Sequence, residues 1–77
     1  MNRFKIKALR ESVNGDKFEW VTIVDTKERE EAVETVIRLQ KGRETFKEYI
    51  YEDGKLYLTD TYIDGILSDS KEKEVPY

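Results

Sequence analysis

The residue types that most often carry enzyme chemistry are missing from this chain, because its 77 residues contain no histidine and no cysteine. Histidine is the usual general base near neutral pH, and both residues are common zinc ligands. Ser12, Ser68 and Ser70 therefore have no conventional base to activate a hydroxyl nucleophile. Disulfides and thiolate metal sites are excluded as well. We expect no catalytic residue of the familiar kinds.

Carboxylates are plentiful, and two arrangements of them approach known chemistry. Residues 53–55, Asp-Gly-Lys, have the Asp-x-Lys spacing of some nucleases, but Asp-Gly is also a preferred pair in tight turns. Asp60, Asp64 and Asp69 lack the alternating oxygen ligands and terminal glutamate of an EF-hand loop. No glycine-rich phosphate loop is present in the sequence. The sequence predicts a protein that is not an enzyme and has no metal site and no cofactor.

A central amphipathic helix is the element that must organise the remaining side chains. We predict this helix over residues 25–42, with Asp25 or Thr26 as the N-cap and Glu28 at capping-box spacing. Gly42 is suited to a left-handed C-terminal position. The helix needs strands against which to bury its apolar stripe. That stripe contains Ala32, Val33, Val36, Ile37 and Leu39.

Strand-like segments with hairpin turns lie on both sides of this helix. Residues 3–9 and 18–24 flank Asn14-Gly15, and residues 45–52 and 55–62 flank Asp53-Gly54. A two-residue turn at Asn14-Gly15 predicts that Leu9 pairs with Trp20, Ile6 with Ile23 and Arg10 with Glu19. The predicted fold is α+β with the order ββαββ, in which two β-hairpins form a small antiparallel-rich sheet and the helix packs on one face. The strand order stays open. Residues 62–67 fit either a helical turn or a short strand.

The chain is short enough for one domain, which we place at residues 1–67. Residues 68–77 are predicted to be a flexible charged C-terminal tail, because Ser, Asp, Lys and Glu dominate their first part. No apolar run approaches the ~20 residues of a membrane span, and no signal-peptide pattern is evident. We therefore expect a cytoplasmic protein. The formal net charge of -3 does not favour a general nucleic-acid binder.

Both faces of the predicted sheet carry apolar residues, although one helix can cover only one of them. We assign Phe4, Ile6, Ala8, Val21 and Ile23 to the covered face, together with Tyr49, Tyr51, Leu56 and Leu58. The other face then exposes aromatic and basic side chains of the kind that interfaces use. The predicted partner-binding residues are Lys5, Lys7, Leu9, Phe18, Trp20, Phe46, Ile50 and Tyr57.

The favoured function is a small non-catalytic protein-interaction module, a regulator or inhibitor that binds a partner protein or a second copy of itself. In size and composition the chain is similar to compact inhibitors that phages and mobile elements encode, such as anti-restriction or anti-CRISPR proteins. The alternative is nucleic-acid binding by the basic first strand and Trp20. That strand contains Arg3, Lys5, Lys7 and Arg10. A third hypothesis is that the acidic residues 44–64 imitate nucleic acid.

Overall fold

The computed structural model describes residues 2–72, and these form one antiparallel sheet of five strands with one helix. The sheet order is β2-β1-β3-β4-β5. The α+β class, the antiparallel sheet and the succession of hairpin, helix and hairpin are therefore confirmed, with one additional strand. The elements are β1 Asn2–Glu11, β2 Phe18–Thr26, α1 Arg29–Lys41, β3 Phe46–Glu52, β4 Lys55–Ile63 and β5 Ile66–Glu72.

The additional strand, β5, begins at a tight turn. Asp64 and Gly65 have φ values of 52° and 80°, the conformation in which short hairpin turns reverse the chain. The following residues pair with β4, so the strand alternative for residues 62–67 is the observed one. Strand structure thus extends to Glu72, beyond the predicted domain boundary at residue 67, because backbone pairing does not require apolar side chains. The rest of the predicted tail, residues 73–77, lies outside the described residues.

The helix begins later than the sequence predicts. Asp25 belongs to β2, and the N-cap is Glu28, which makes no capping bond with its own side chain. The Thr26 hydroxyl instead accepts a hydrogen bond from the Glu28 backbone N–H at 3.0 Å. The same hydroxyl donates to the Glu31 carboxylate at 3.1 Å. Thr26 therefore bonds to a free backbone N–H at the start of the helix, as predicted for an N-cap, although it is itself the last residue of β2.

The C-terminal end of α1 packs against the turn between β4 and β5. Gly42 has φ −78°, and the left-handed residue is Arg43 with φ 53°, which corrects the predicted role of Gly42. The Gly65 N–H donates to the Glu44 carbonyl at 2.9 Å. A Cβ atom at Gly65 would lie 2.6 Å from the backbone oxygen of Gln40. Position 65 therefore requires a glycine, both because its φ is positive and because the backbone of Gln40 leaves no room for a Cβ atom.

The core lies between α1 and one face of the sheet, which we call the helix-covered face. The helix packs over β1 and β2. Phe46 of β3 and Ile6 of β1 are fully buried, and the ring of Phe46 stacks on Tyr62 with centroids 4.4 Å apart. Burial of such side chains is the main stabilising contribution to a small domain. The buried apolar residues are Phe4, Ile6, Ala8, Ala32, Leu39, Phe46 and Tyr62.

The buried stripe of the helix differs in part from the predicted one. Ala32 and Leu39 are buried and Val36 packs against the core, but Val33 and Ile37 are each 45% exposed. Thr35 is buried in their place, and its hydroxyl donates to the Glu31 carbonyl at 2.9 Å. A threonine can take a buried helical position because this local bond satisfies its hydroxyl.

The first strand of the second hairpin, β3, presents the opposite faces from those predicted, whereas Leu58 of β4 pairs with Ile50 and lies on the predicted side. Phe46 and Ile50 pair with buried residues of β1 and lie on the helix-covered face, which corrects their assignment to the partner-binding face. Tyr49 and Tyr51 lie on the other side of the sheet, opposite basic residues of β1. The physical reason is that a tyrosine hydroxyl stays in contact with water more easily on an uncovered face, whereas phenylalanine has no polar atom.

A bulge changes the register within the first hairpin. The predicted pair of Leu9 and Trp20 is confirmed. Farther along the strands, Ile6 pairs with Val24 instead of Ile23, because the register shifts by one residue between Ile6 and Lys7. The bulge leaves Ile23 as the extra residue, partly buried against the core.

Candidate functional site: the open face of the sheet

The side of the sheet that α1 does not cover carries basic and aromatic side chains, and we call it the open face. Side chains alternate between the two sides of a strand. Because Phe4, Ile6 and Ala8 point toward the helix, the intervening residues of β1 point away from it. The strand pairings then place the neighbouring side chains of β2 and β3 on the same side. The central residues of the open face are Lys5, Lys7, Leu9, Phe18, Trp20, Lys47, Tyr49 and Tyr51.

Lysines and tyrosines meet diagonally across β1 and β3. The Lys5 Nζ atom lies 5.8 Å from the ring centroid of Tyr51. The Lys7 Nζ atom lies 5.8 Å from the ring centroid of Tyr49. Both distances are within the ~6 Å over which an ammonium group is attracted to an aromatic ring. The four side chains are half-buried, so the lysines partly shield the rings from water.

A closer contact of the same kind joins β3 to β2. Lys47 Nζ lies 4.7 Å from the ring centroid of Trp20. Because β1 lies between these two strands, the Lys47 side chain must extend across β1 to reach the indole. We call the pairs Lys5–Tyr51, Lys7–Tyr49 and Lys47–Trp20 the cation–aromatic ladder. The ladder places positive charge beside π-faces along the middle of the open face.

The β2 end of the open face is its most apolar part. Trp20 is 40% exposed and Phe18 is 66% exposed. Leu9 lies opposite Trp20 in the register and is half-buried. Large aromatic side chains that remain accessible on a rigid strand are the usual anchors of a protein interface.

The two arginines of β1 are each paired with a carboxylate. Arg3 Nε donates to Asp25 Oδ1 at 2.6 Å. This hydrogen bond, together with the Asp25 charge, raises the pKa of Arg3, and the same bond is the main cause that lowers the pKa of Asp25. Arg10 pairs in register with Glu19, as predicted, but its guanidinium bonds to Glu44. These pairs reduce the contribution of both arginines to the basic character of β1.

The structure brings together five of the sequence-predicted site residues on the open face. Of the remaining three, Phe46 and Ile50 belong to the helix-covered face. Tyr57 is 36% exposed and is the extra residue of a bulge in β4, beside β5. Its hydroxyl is hydrogen-bonded to Glu72, and this bond and the carboxylate charge raise the pKa of Tyr57. The five that come together are Lys5, Lys7, Leu9, Phe18 and Trp20.

Sequence reasoning missed Lys47, Tyr49 and Tyr51 as members of the open face. The available signal was the alternation of β3 itself, in which Lys47 shares a face with both tyrosines. Lysine is rarely found on the buried side of a strand, so the side of β3 that carries Lys47 is expected to be exposed, and both tyrosines share that side. The large apolar rings of Tyr49 and Tyr51 favoured a buried assignment instead.

Acidic side chains lie on the helix-covered side of β3 and β4. Glu48 pairs with Asp60, and Asp60 accepts a hydrogen bond from the Ser70 hydroxyl at 2.5 Å. Burial raises the pKa of Glu48, and the charge of Asp60 raises it further, whereas Arg29 has the opposite effect. Glu48 and Asp60 therefore lie on the opposite side of the sheet from Lys5, Lys7 and Lys47.

Asp53 and Gly54, with the nuclease-like spacing, have φ values of 49° and 79° and form the β3–β4 turn. Among residues 2–72, no group of three or more acidic side chains is placed to hold a metal ion. In the same part of the chain, no helix is both long and apolar enough to cross a membrane. Comparison of the chain with protein-family models, curated proteins and solved structures gives no match.

Proposed function

We propose that this chain is a non-catalytic protein-interaction module that regulates or inhibits a partner protein through the open face. The observation that supports this proposal is the exposure of Trp20 and Phe18 on a strand bordered by lysines. Monomeric soluble proteins seldom leave a contiguous aromatic patch uncovered unless it makes contacts.

The composition of the face also indicates the surface that it would bind. Trp20 would enter an apolar depression of the partner, since tryptophan is strongly enriched among residues that dominate binding energy. Lys5, Lys7 and Lys47 would face acidic side chains, which increases the association rate and orients the complex. The proposed partner surface is therefore acidic around an apolar centre.

A matched pair of variants tests this proposal. Tagged wild-type protein, Trp20→Ala and Ile37→Ala are used to capture partners from nuclease-treated lysate of the source cells. Any captured protein is then purified and its affinity is measured. We expect Trp20→Ala to weaken the purified complex at least tenfold and Ile37→Ala to leave it unchanged, because Ile37 is an exposed apolar residue on α1.

The result that contradicts the proposal is equally specific. If the purified complex tolerates both Trp20→Ala and the double change with Phe18→Ala, the open face is not the interface. The wild type and both variants should unfold cooperatively in denaturant, so that a loss of binding is not a loss of fold.

The cation–aromatic ladder supports a second candidate, a single-stranded nucleic-acid binder. Bases stack on aromatic side chains while phosphates are neutralised by neighbouring lysines, and this combination tolerates many sequences. Lys5, Lys7 and Lys47 each lie beside a ring that a base could stack on if the lysine moved to a phosphate. A base would then replace the lysine over the ring.

Salt dependence tests the second candidate. Affinity for a single-stranded oligonucleotide should fall with salt, with a logarithmic slope of about −0.7 for each neutralised phosphate. Replacing Lys5, Lys7 and Lys47 together by glutamine should reduce the slope by about 2 by the same relation. Lys41→Gln, in the last turn of α1, is the control. A flat salt response would exclude this function.

A further inference from the structure

A cavity of about 420 Å³ lies at the end of the open face that is farthest from Phe18. Arg3 and Lys5 of β1 line it, together with Lys27, which follows the end of β2. Tyr51 near the end of β3 and Gly54 in the β3–β4 turn also line it. Its volume falls within the range of roughly 300–1,000 Å³ that is usual for small-molecule sites. Three separate parts of the sheet thus converge on one concave surface.

Positive charge predominates in the lining of this cavity. Arg3, Lys5 and Lys27 line it, against the lining carboxylate of Asp53 and the Asp25 carboxylate that is bonded to Arg3. Arg3 uses its Nε atom for the bond to Asp25. A guanidinium carries five N–H donors, so the terminal nitrogens of Arg3 can bond to a ligand as well. Each lysine adds an ammonium group with three donors.

We propose that this cavity binds a phosphate monoester of about mononucleotide size. A phosphate monoester carries nearly two negative charges and three acceptor oxygens at neutral pH. The forked donors of Arg3 match two of these oxygens, and Lys5 and Lys27 supply the additional charge. The rest of the ligand lies along Tyr51, whose ring borders the same cavity. This site does not depend on the proposed function, because it needs no macromolecular partner.

Backbone NMR titration measures binding at the site directly. The probes are adenosine monophosphate, uncharged adenosine and inorganic phosphate, at equal ionic strength. We expect adenosine monophosphate to shift the amide signals of Lys27, Tyr51 and Gly54 in a saturable manner. Inorganic phosphate should bind the same residues more weakly, and adenosine should leave them unshifted. Equal shifts from adenosine and its monophosphate, or shifts located elsewhere, would overturn the proposal.

Lys27→Gln tests the contribution of positive charge without disturbing a strand, because Lys27 lies between β2 and α1. We expect at least a fivefold loss of affinity for adenosine monophosphate, with no change for Lys41→Gln. Unchanged affinity in Lys27→Gln would contradict the proposed phosphate site. Trp20→Ala should bind the nucleotide as the wild type does, so failure of this proposal is distinguishable from failure of the open-face interface.

The phosphate could belong to a free nucleotide or to the end of a nucleic-acid strand. A short oligothymidylate with a 5′-phosphate is therefore compared with the same strand lacking that phosphate. Stronger binding of the 5′-phosphorylated strand than of both the unphosphorylated strand and adenosine monophosphate would support the phosphate site and identify a strand end as the source. Stronger binding of adenosine monophosphate than of the 5′-phosphorylated strand would identify a free nucleotide. Absence of binding by both would overturn the proposal.

Discussion

The helix-covered face and the open face belong to the same sheet but are stabilised in different ways. On the first, side chains such as Ile6 and Phe46 are withdrawn from water, at about 25 cal/mol for each Å² of apolar surface. On the second, a contact such as that of Lys47 with Trp20 contributes about 0.5–1 kcal/mol because it is partly exposed. We therefore expect that the open face can be altered, or occupied by a partner, with little effect on folding.

Phe46→Ala is the change with the largest expected effect on this comparison. Its ring is fully buried and stacked on Tyr62, so its removal should reduce the free energy of unfolding by about 3–5 kcal/mol. A domain of this size is stable by only about 4–12 kcal/mol. Urea unfolding should therefore show a much lower midpoint or a largely unfolded chain.

Trp20→Ala is the matched change on the open face. We expect it to reduce the free energy of unfolding by about 1–2 kcal/mol, less than Phe46→Ala, because the indole is 40% exposed and loses its contact with Lys47 together with part of its apolar burial. A destabilisation as large as that of Phe46→Ala would mean that the two faces do not differ in the way described.

Gly65→Ala should have the next largest effect on the free energy of unfolding after Phe46→Ala, because it disturbs the contact between the end of α1 and the β4–β5 turn. The left-handed φ of 80° disfavours alanine by about 1–2 kcal/mol. The new Cβ would also lie 2.6 Å from the Gln40 oxygen, which should add about 1–3 kcal/mol.

Gly54→Ala separates these two contributions. Gly54 has a similar φ of 79°, but a Cβ there would meet no atom within 4 Å. We expect it to lower the free energy of unfolding by only the conformational amount, about 1–2 kcal/mol. Equal effects of the two substitutions, measured by urea unfolding, would show that the close approach at Gly65 is relieved at no cost.

The sequence was sufficient for those parts of the fold in which local signals agree. The alternation of Phe4, Ile6 and Ala8 with basic residues predicts both the strand and its buried side. The pairing of Leu9 with Trp20 follows from the hairpin register. For the same reason, five of the predicted site residues lie together on the open face.

The second hairpin was harder because both of its faces are apolar. Phe46 and Ile50 compete with Tyr49 and Tyr51 for the core, and the choice depends on tertiary packing against β1. Bulges that shift the register by one residue cannot be read from alternation alone. The sequence leaves residues 62–67 open between a strand and a helical turn, and it gives no strand signal beyond them, because residues such as Ser68 and Asp69 pair through the backbone and remain exposed.

Lys47→Gln examines the open face alone and should have a smaller effect. The substitution removes the ammonium group from the indole of Trp20 and should reduce the free energy of unfolding by about 0.5–1 kcal/mol. Because the chain contains one tryptophan, intrinsic fluorescence reports directly on this contact. Lys55→Gln, at the start of β4, is the control. An unchanged emission spectrum in Lys47→Gln would contradict the contact.

Glu48→Gln tests the other side of the sheet and should have the smallest effect. Burial and the Asp60 charge raise the pKa of Glu48 in the folded protein, although Arg29 partly offsets them. The folded state therefore binds this proton more tightly than the unfolded state, and the charged carboxylate destabilises the fold at neutral pH. Removing the charge should raise the melting temperature slightly at pH 7.

The pH dependence of this effect gives the stricter test. As pH falls through the raised folded pKa of Glu48, the wild type becomes protonated and regains stability, so the advantage of Glu48→Gln should shrink. Asp25 acts in the opposite sense, because its pKa is lowered and its contribution is lost as pH falls through that value. It is present in both proteins, so their difference in melting temperature isolates Glu48. A difference that stays constant between pH 7 and pH 4 would show that the Glu48 charge is fully solvated.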